Sequence, residues 1–117
     1  NVQKQQGRED SVLSFYKKLV ALRKDPLYKE TFVYGDFEPC EGCASGVIAY
    51  LRKSAGQTIL VAGNFNPNGI TLQLPKREEG ETYTEGKLLL GNGKEAAVAD
   101  GCVSIEGFGC AVFLLKE

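Results

Sequence analysis

The chain has 117 residues, 43% of them hydrophobic and 25% charged, which are the proportions of an ordinary globular segment with room for one domain and not two. Its 14 basic and 15 acidic side chains leave a net charge of −1, and no block of like charge forms a tail suited to nucleic acid, so no nucleic-acid partner is expected. There is no histidine, which removes the commonest general base and metal ligand, and no methionine, so the segment reads as a piece of a longer protein.

In chain order, the first element is a helix. Val12, Phe15, Tyr16, Leu19 and Leu22 recur at three- and four-residue spacing over residues 11–24. Asp10 or Ser11 is placed to cap it, Lys17, Lys18, Arg23 and Lys24 lie towards its negative end, and Pro26 ends it. At 100° per residue, Leu22, Phe15, Leu19, Val12, Tyr16, Val20 and Leu13 cover roughly half the circumference, wider than a helix resting on a single core needs. A helix of this kind is expected to be covered from two sides, by a deep sandwich groove, a second copy or a missing neighbour.

Composition shifts near Pro26. Residues 1–30 carry seven basic and four acidic groups, and residues 31–117 carry seven and eleven. After the proline come short β-branched and aromatic runs punctuated by Gly, Asn and Pro, the rhythm of antiparallel strands. Seven are expected, at Thr31 to Glu38, Gly46 to Lys53, Thr58 to Asn64, Ile70 to Leu74, Lys87 to Gly91, Cys102 to Ile105 and Cys110 to Leu115. Turns are expected at 54–57, at Asn66-Pro67-Asn68-Gly69, and where Gly107 and Gly109 flank Phe108. The stretches 76–85 and 92–100 read as loops. Strands of this number and length bury a continuous face only by folding into two layers, so the expected fold is mainly β. It is an antiparallel, Greek-key-like two-layer sandwich with one N-terminal α-helix.

Chemistry is sparse. The run Glu78, Glu79, Glu81 reads as a solvated loop, and Ser45 and Ser104 lack a partner base in any recognisable motif, so no catalytic residue and no cofactor site is assigned. Four cysteines are the sharpest local signal: Cys40 and Cys43 in a Cys-Glu-Gly-Cys knuckle, Cys102 and Cys110 on consecutive strands. A four-thiolate zinc site built from Cys40, Cys43, Cys102 and Cys110 is one reading and disulfides are another. The default is four small apolar side chains in a reducing compartment, with no metal assigned. Most aromatic residues fall within apolar strands and are expected in the core. Tyr83 and Phe108, in loop or turn, are the candidates for carbohydrate contact should the domain be a sugar-binding module. No apolar run approaches the ~18 residues that span a bilayer and no leader pattern opens the chain, so no membrane contact and a cytoplasmic location are expected.

Asp10-Ser11-Val12-Leu13-Ser14-Phe15-Tyr16-Lys17-Lys18-Leu19-Val20-Ala21-Leu22-Arg23-Lys24 resembles the last barrel helix of the oligo-1,6-glucosidases and related α-glucosidases of the α-amylase family. The strand motifs Val33 to Phe37, Ile48 to Arg52, Ile59 to Phe65, Leu88 to Asn92 and Ala111 to Leu115 resemble, in the same order, strands of that family's C-terminal domain. The chain departs from the family at Cys40-Glu41-Gly42-Cys43 and at the Glu106 to Gly109 turn, where relatives carry an arginine and a proline. The resemblance implies that residues 1–30 are the linker and terminal helix of an upstream (β/α)8 barrel and that 31–117 are a C-terminal sandwich stabilising it. It also implies a retaining α-glucosidase or transglucosidase as the parent, with the catalytic carboxylates on the barrel, α-glucosides as substrates, and an inactive segment here.

Overall fold

The computed structural model describes residues 2–43, 45–77 and 79–116, with side chains from Leu13 onward. Ten elements follow one another: α1 (Val2–Lys24), α2 (Lys29–Tyr34), β1 (Asp36–Pro39), β2 (Val47–Ser54), β3 (Gln57–Asn64), β4 (Ile70–Gln73), β5 (Gly86–Gly91), β6 (Ala96–Ala99), β7 (Cys102–Ile105) and β8 (Cys110–Leu115). The strands form a five-stranded sheet in the order β1-β2-β3-β8-β5 and a three-stranded sheet in the order β4-β7-β6, every described pairing antiparallel. The chain passes repeatedly between the two sheets, and β8 inserts between β3 and β5. The expected mainly-β two-layer sandwich with an N-terminal helix is the architecture observed, with one more strand and one more helix.

Period-two alternation explains why the large sheet is covered twice. In β3, Leu60 and Ala62 enter a core shared with Leu72, Val103 and Ile105 of the small sheet, while Ile59 and Val61 enter a second core with Phe15 of α1 and Phe32 of α2. In β8, Ala111, Phe113 and Leu115 take the first side, and Cys110 and Val112 the second. A continuous apolar run such as Ile59 to Ala62 is what a strand needs when both of its faces are dry. The result is three layers: helices, five strands, three strands.

Three expectations are corrected. The helix begins at Val2 and not near residue 11, so Asp10 and Ser11 lie inside it and not at its start; Gln3, Lys4, Gln5, Gln6, Arg8 and Glu9 are residue types compatible with helix. The strand expected over Thr31 to Glu38 is a short helix followed by a short strand. Thr31, Phe32 and Val33 have β-type propensities, but burial overrides them. Phe32 is buried in the helix-side core, and the fully buried Thr31 hydroxyl lies 2.6 Å from Ser54 Oγ and bonds Gln57 Oε1. Finally, the expected loop 92–100 contains β6, which pairs with β7 through Ala96↔Ile105 to Ala99↔Cys102. The Lys76–Glu85 stretch is largely exposed and without regular structure as expected, although Tyr83 within it is buried.

A polar hub holds the turn end of the sandwich. Asn64, with no exposed surface, donates through Nδ2 to Asn68 O at 2.8 Å and towards the carbonyls of Ile105 and Glu106 at 3.4 and 3.3 Å. Its Oδ1 accepts the Asn66 amide at 3.0 Å, and its own amide donates to Gly109 O at 2.8 Å. One side chain therefore ties the β3–β4 turn to the β7–β8 turn, satisfying backbone groups that no ladder reaches.

Candidate interface on the helical face

Helix α1 carries two apolar stripes. Phe15, Leu19 and Leu22 pack into the helix-side core, whereas Leu13 and Tyr16, roughly 130° around the axis, are 56% and 64% exposed. The wide arc seen in the sequence is thus half used; Val12 of that arc lies outside the residues whose side chains are described. Next to it, Val33 and Tyr34 of α2 and Leu27 in the connection are exposed, Tyr34 by 79%. The outer side of the β1–β2 hairpin carries exposed apolar residues as well. Val47, Ala49 and Leu51 point inward to the sandwich core, so Ile48, Tyr50 and Arg52 point outward, and Ile48 and Phe37 are more than half exposed. Single exposed apolar residues need no explanation, but Leu13, Tyr16, Val33 and Tyr34 on the two helices, with Leu27 between them, are candidates for contact with a neighbour.

Arg52 adds a polar element. Its guanidinium stands 5.9 Å from the centre of the Phe37 ring, which itself meets Tyr50 at 5.1 Å, and Arg52 lies opposite Phe37 in the ladder. The Nε atom is buried and has no hydrogen-bond partner among the described residues. A buried donor left unmatched costs about 1–3 kcal/mol. Its neighbour Lys53, on the opposite side of the strand, is already paired with Glu38 at 2.5 Å.

The four cysteines are not brought together. Cys40 ends the β1 run and is buried in the sandwich core with Cys43 beside it, Cys102 lies in the small sheet opposite Gln73 and Ala99, and Cys110 opens β8 in the helix-side core. All four are free, and among the described residues no three Cys, Asp or Glu side chains assemble into a set that could hold a metal ion. A four-thiolate zinc site would need Cys40, Cys43, Cys102 and Cys110 at one point, and the layers keep them apart. Burial pushes the Cys40 thiol up to about 11, with Cys43 and Glu38 adding to the effect, and burial raises Cys110 as well.

Tyr83 is 3% exposed within the sandwich core, its ring 6.0 Å from the Arg77 guanidinium, so it presents no open face. Phe108 is half-buried at the β7–β8 turn with φ +59, its amide donating to Asn66 O at 3.0 Å. Glu79 and Glu81 are exposed, the latter 3.7 Å from Arg77; Glu78 lies outside the described residues. Ser104 is exposed and bonds across to Thr71 at 3.1 Å. A concavity at the ends of β5 and β8, lined by Gln57, Glu85, Lys87 and Lys116 among others, holds one carboxylate, Glu85, paired with Lys116 at 3.2 Å. Sequence reasoning marked Leu13 and Tyr16 through the arc but missed Phe37, Tyr50 and Arg52 as a group, although strand alternation placed Tyr50 and Arg52 on one side.

Comparison with known proteins identifies the layout. The oligo-1,6-glucosidase of Bacillus cereus is 33% identical over 92 residues, and the palatinase of Erwinia rhapontici 37% identical over 84. These matches cover 79% and 71% of this chain, but 15% and 14% of the relatives. The segment is homologous to part of the α-glucosidases of the α-amylase family. The trehalose-6-phosphate hydrolase of Bacillus licheniformis superposes with a TM-score of 0.66 at 27% identity, over 87% of this chain and 18% of that one. No family model matches. The chain therefore spans about one-seventh of the α-glucosidase relatives it resembles.

Proposed function

We propose that the chain is the non-catalytic C-terminal sandwich of a retaining α-glucosidase-type enzyme acting on α-glucosides, and that its helical face is clasped by the catalytic barrel of the same polypeptide. In this reading residues 1–30 supply the barrel's last helix and the link from it, and residues 31–117 the supporting domain. The observation that carries it is the second stripe of α1, Leu13 and Tyr16, left in solvent. A helix with two apolar stripes and a single cover is half of an interface. The relatives' greater length supports a neighbour of the right kind, because the first is named a glucosidase while most of the residues of both lie outside the matched segment.

The role is mechanical. At about 25 cal/mol per Å² of apolar area removed from water, covering two or three such side chains contributes several kcal/mol to holding the barrel's closing helix in place. The test has two arms. By itself the chain should release no glucose from maltose or isomaltose, and in the parent enzyme Leu13→Asp with Tyr16→Asp should lower the melting temperature of barrel and sandwich together. Turnover by the chain alone, or a parent indifferent to the two aspartates, would refute the proposal.

A further inference from the structure

The connection from β1 to β2 holds a second chemical feature, independent of the docking face. Cys40-Glu41-Gly42-Cys43 makes a tight turn with Gly42 at φ +76, the conformation that the third position of a type II turn requires. The ends of such a turn lie within about 7 Å of each other between Cα atoms, close to the upper limit of the span that a disulfide bridges. The Cys40 amide donates to Ala49 O at 3.0 Å, which prolongs the β1–β2 ladder and fixes that end of the turn. At the other end the Cys43 thiol donates to the Cys40 carbonyl at 3.3 Å, so its sulfur is held back towards Cys40. Cys43 is part-exposed and Cys40 is 5% exposed, so Cys43 is the more accessible of the two. With only two thiolates and no third ligand among the described residues, the turn lacks the donor set for zinc, whereas a two-electron oxidation needs two sulfurs alone.

We propose that Cys40 and Cys43 form a reversible modification site, a turn dithiol that a small-molecule disulfide oxidises to an intramolecular disulfide. Cys43 as thiolate attacks one sulfur of the disulfide, its S–S bond breaks, and one half leaves as a thiolate. That thiolate takes the proton from Cys40, whose sulfur then attacks Cys43 Sγ and expels the second half. Two protein thiols are oxidised and one disulfide is reduced to two thiols. Cys40 is covered and its thiol is held up by burial, so it is the slower sulfur and reacts second. Cys102 and Cys110 take no part, since they stand in different sheets.

The purified, fully reduced protein is incubated with oxidised glutathione, the remaining thiols are alkylated, and tryptic peptides are weighed. Cleavage after Lys29 and Arg52 isolates Cys40 with Cys43, and cleavage after Lys94 and Lys116 isolates Cys102 with Cys110. The first peptide should lose the mass of two hydrogen atoms, carry no glutathione and refuse alkylation, while the second gains no internal bridge. Cys40→Ser should stop at a stable glutathione adduct on Cys43. Cys43→Ser should slow the reaction of Cys40 at least about tenfold. A dithiol that is still alkylated after a dithiothreitol control is fully oxidised overturns the proposal, as does glutathione retained on wild-type Cys43. Should the Cys40 variant fail to fold, the wild-type mass alone decides.

Discussion

Replacing Asn64 with alanine removes the hub that joins two turns. The side chain supplies a donor to Asn68 O at 2.8 Å, a donor shared between the carbonyls of Ile105 and Glu106, and an acceptor for the Asn66 amide at 3.0 Å. Each such bond contributes about 1 kcal/mol net, and the partners left behind are at least partly buried, so the loss should be about 3 kcal/mol. Against the roughly 5–15 kcal/mol that holds a domain together, this is a large fraction. Urea unfolding in reducing buffer measures it: at a slope of about 1.5 kcal/mol per M the midpoint should fall by about 2 M. Asn66→Ala, whose Nδ2 donates to Ser45 O in an exposed position, should cost below about 1 kcal/mol and serves as the control. An Asn64→Ala shift under about 0.5 M would mean that water replaces the network freely, and the assignment of Asn64 as a hub would be wrong.

Other outcomes follow from the same geometry. Leu60→Ala, fully buried between the sheets, should destabilise the chain by about 2–5 kcal/mol in the same unfolding experiment. Leu13→Ser should change the stability of the isolated chain by no more than about 0.5 kcal/mol, yet destabilise the parent enzyme by several times that amount, a contrast that thermal melts of both would reveal. Stability should also fall as pH rises from 9 to about 11. The Cys40 thiol ionises near 9.0 when unfolded and near 11 when folded, so above pH 9 the unfolded chain holds fewer protons and gains relative to the native state. The contribution is on the order of 2–3 kcal/mol, complete below pH 9 and lost through pH 11; Cys40→Ala should flatten this part of the stability–pH curve.

Much of the body was legible because burial writes itself into period and composition. The strands β2, β3, β7 and β8 lie within a residue of their expected positions because their apolar or alternating runs end at turn residues. The small sheet's edge was harder to read. Ala96, Ala97, Val98 and Ala99 are short and poor in β-branched residues, and the signal that betrays the hairpin is the following Asp100-Gly101. Their φ values of +51 and +78 make the type I′ turn that such a pair favours between two strands. The helix α2 was hidden for the opposite reason: Thr31-Phe32-Val33 speak for a strand, and only the pocket that buries Thr31 against Ser54 and Gln57 decides for a helix. The knuckle was visible as two cysteines, but their burial order was not.

Local pattern was enough to establish the sandwich class, the central strands and the wide apolar arc of the helix, because these depend on alternation and on how much apolar surface a segment carries. Three-dimensional packing was needed to choose which stripe of the helix is used, to set Phe37, Tyr50 and Arg52 on one outer face, and to hold Cys102 and Cys110 away from the Cys40–Cys43 turn. Those facts depend on register and on layer order, which arise from contacts between residues far apart in the chain. A one-residue slip in pairing would move every side chain of β2 to the other face without changing a letter of the sequence.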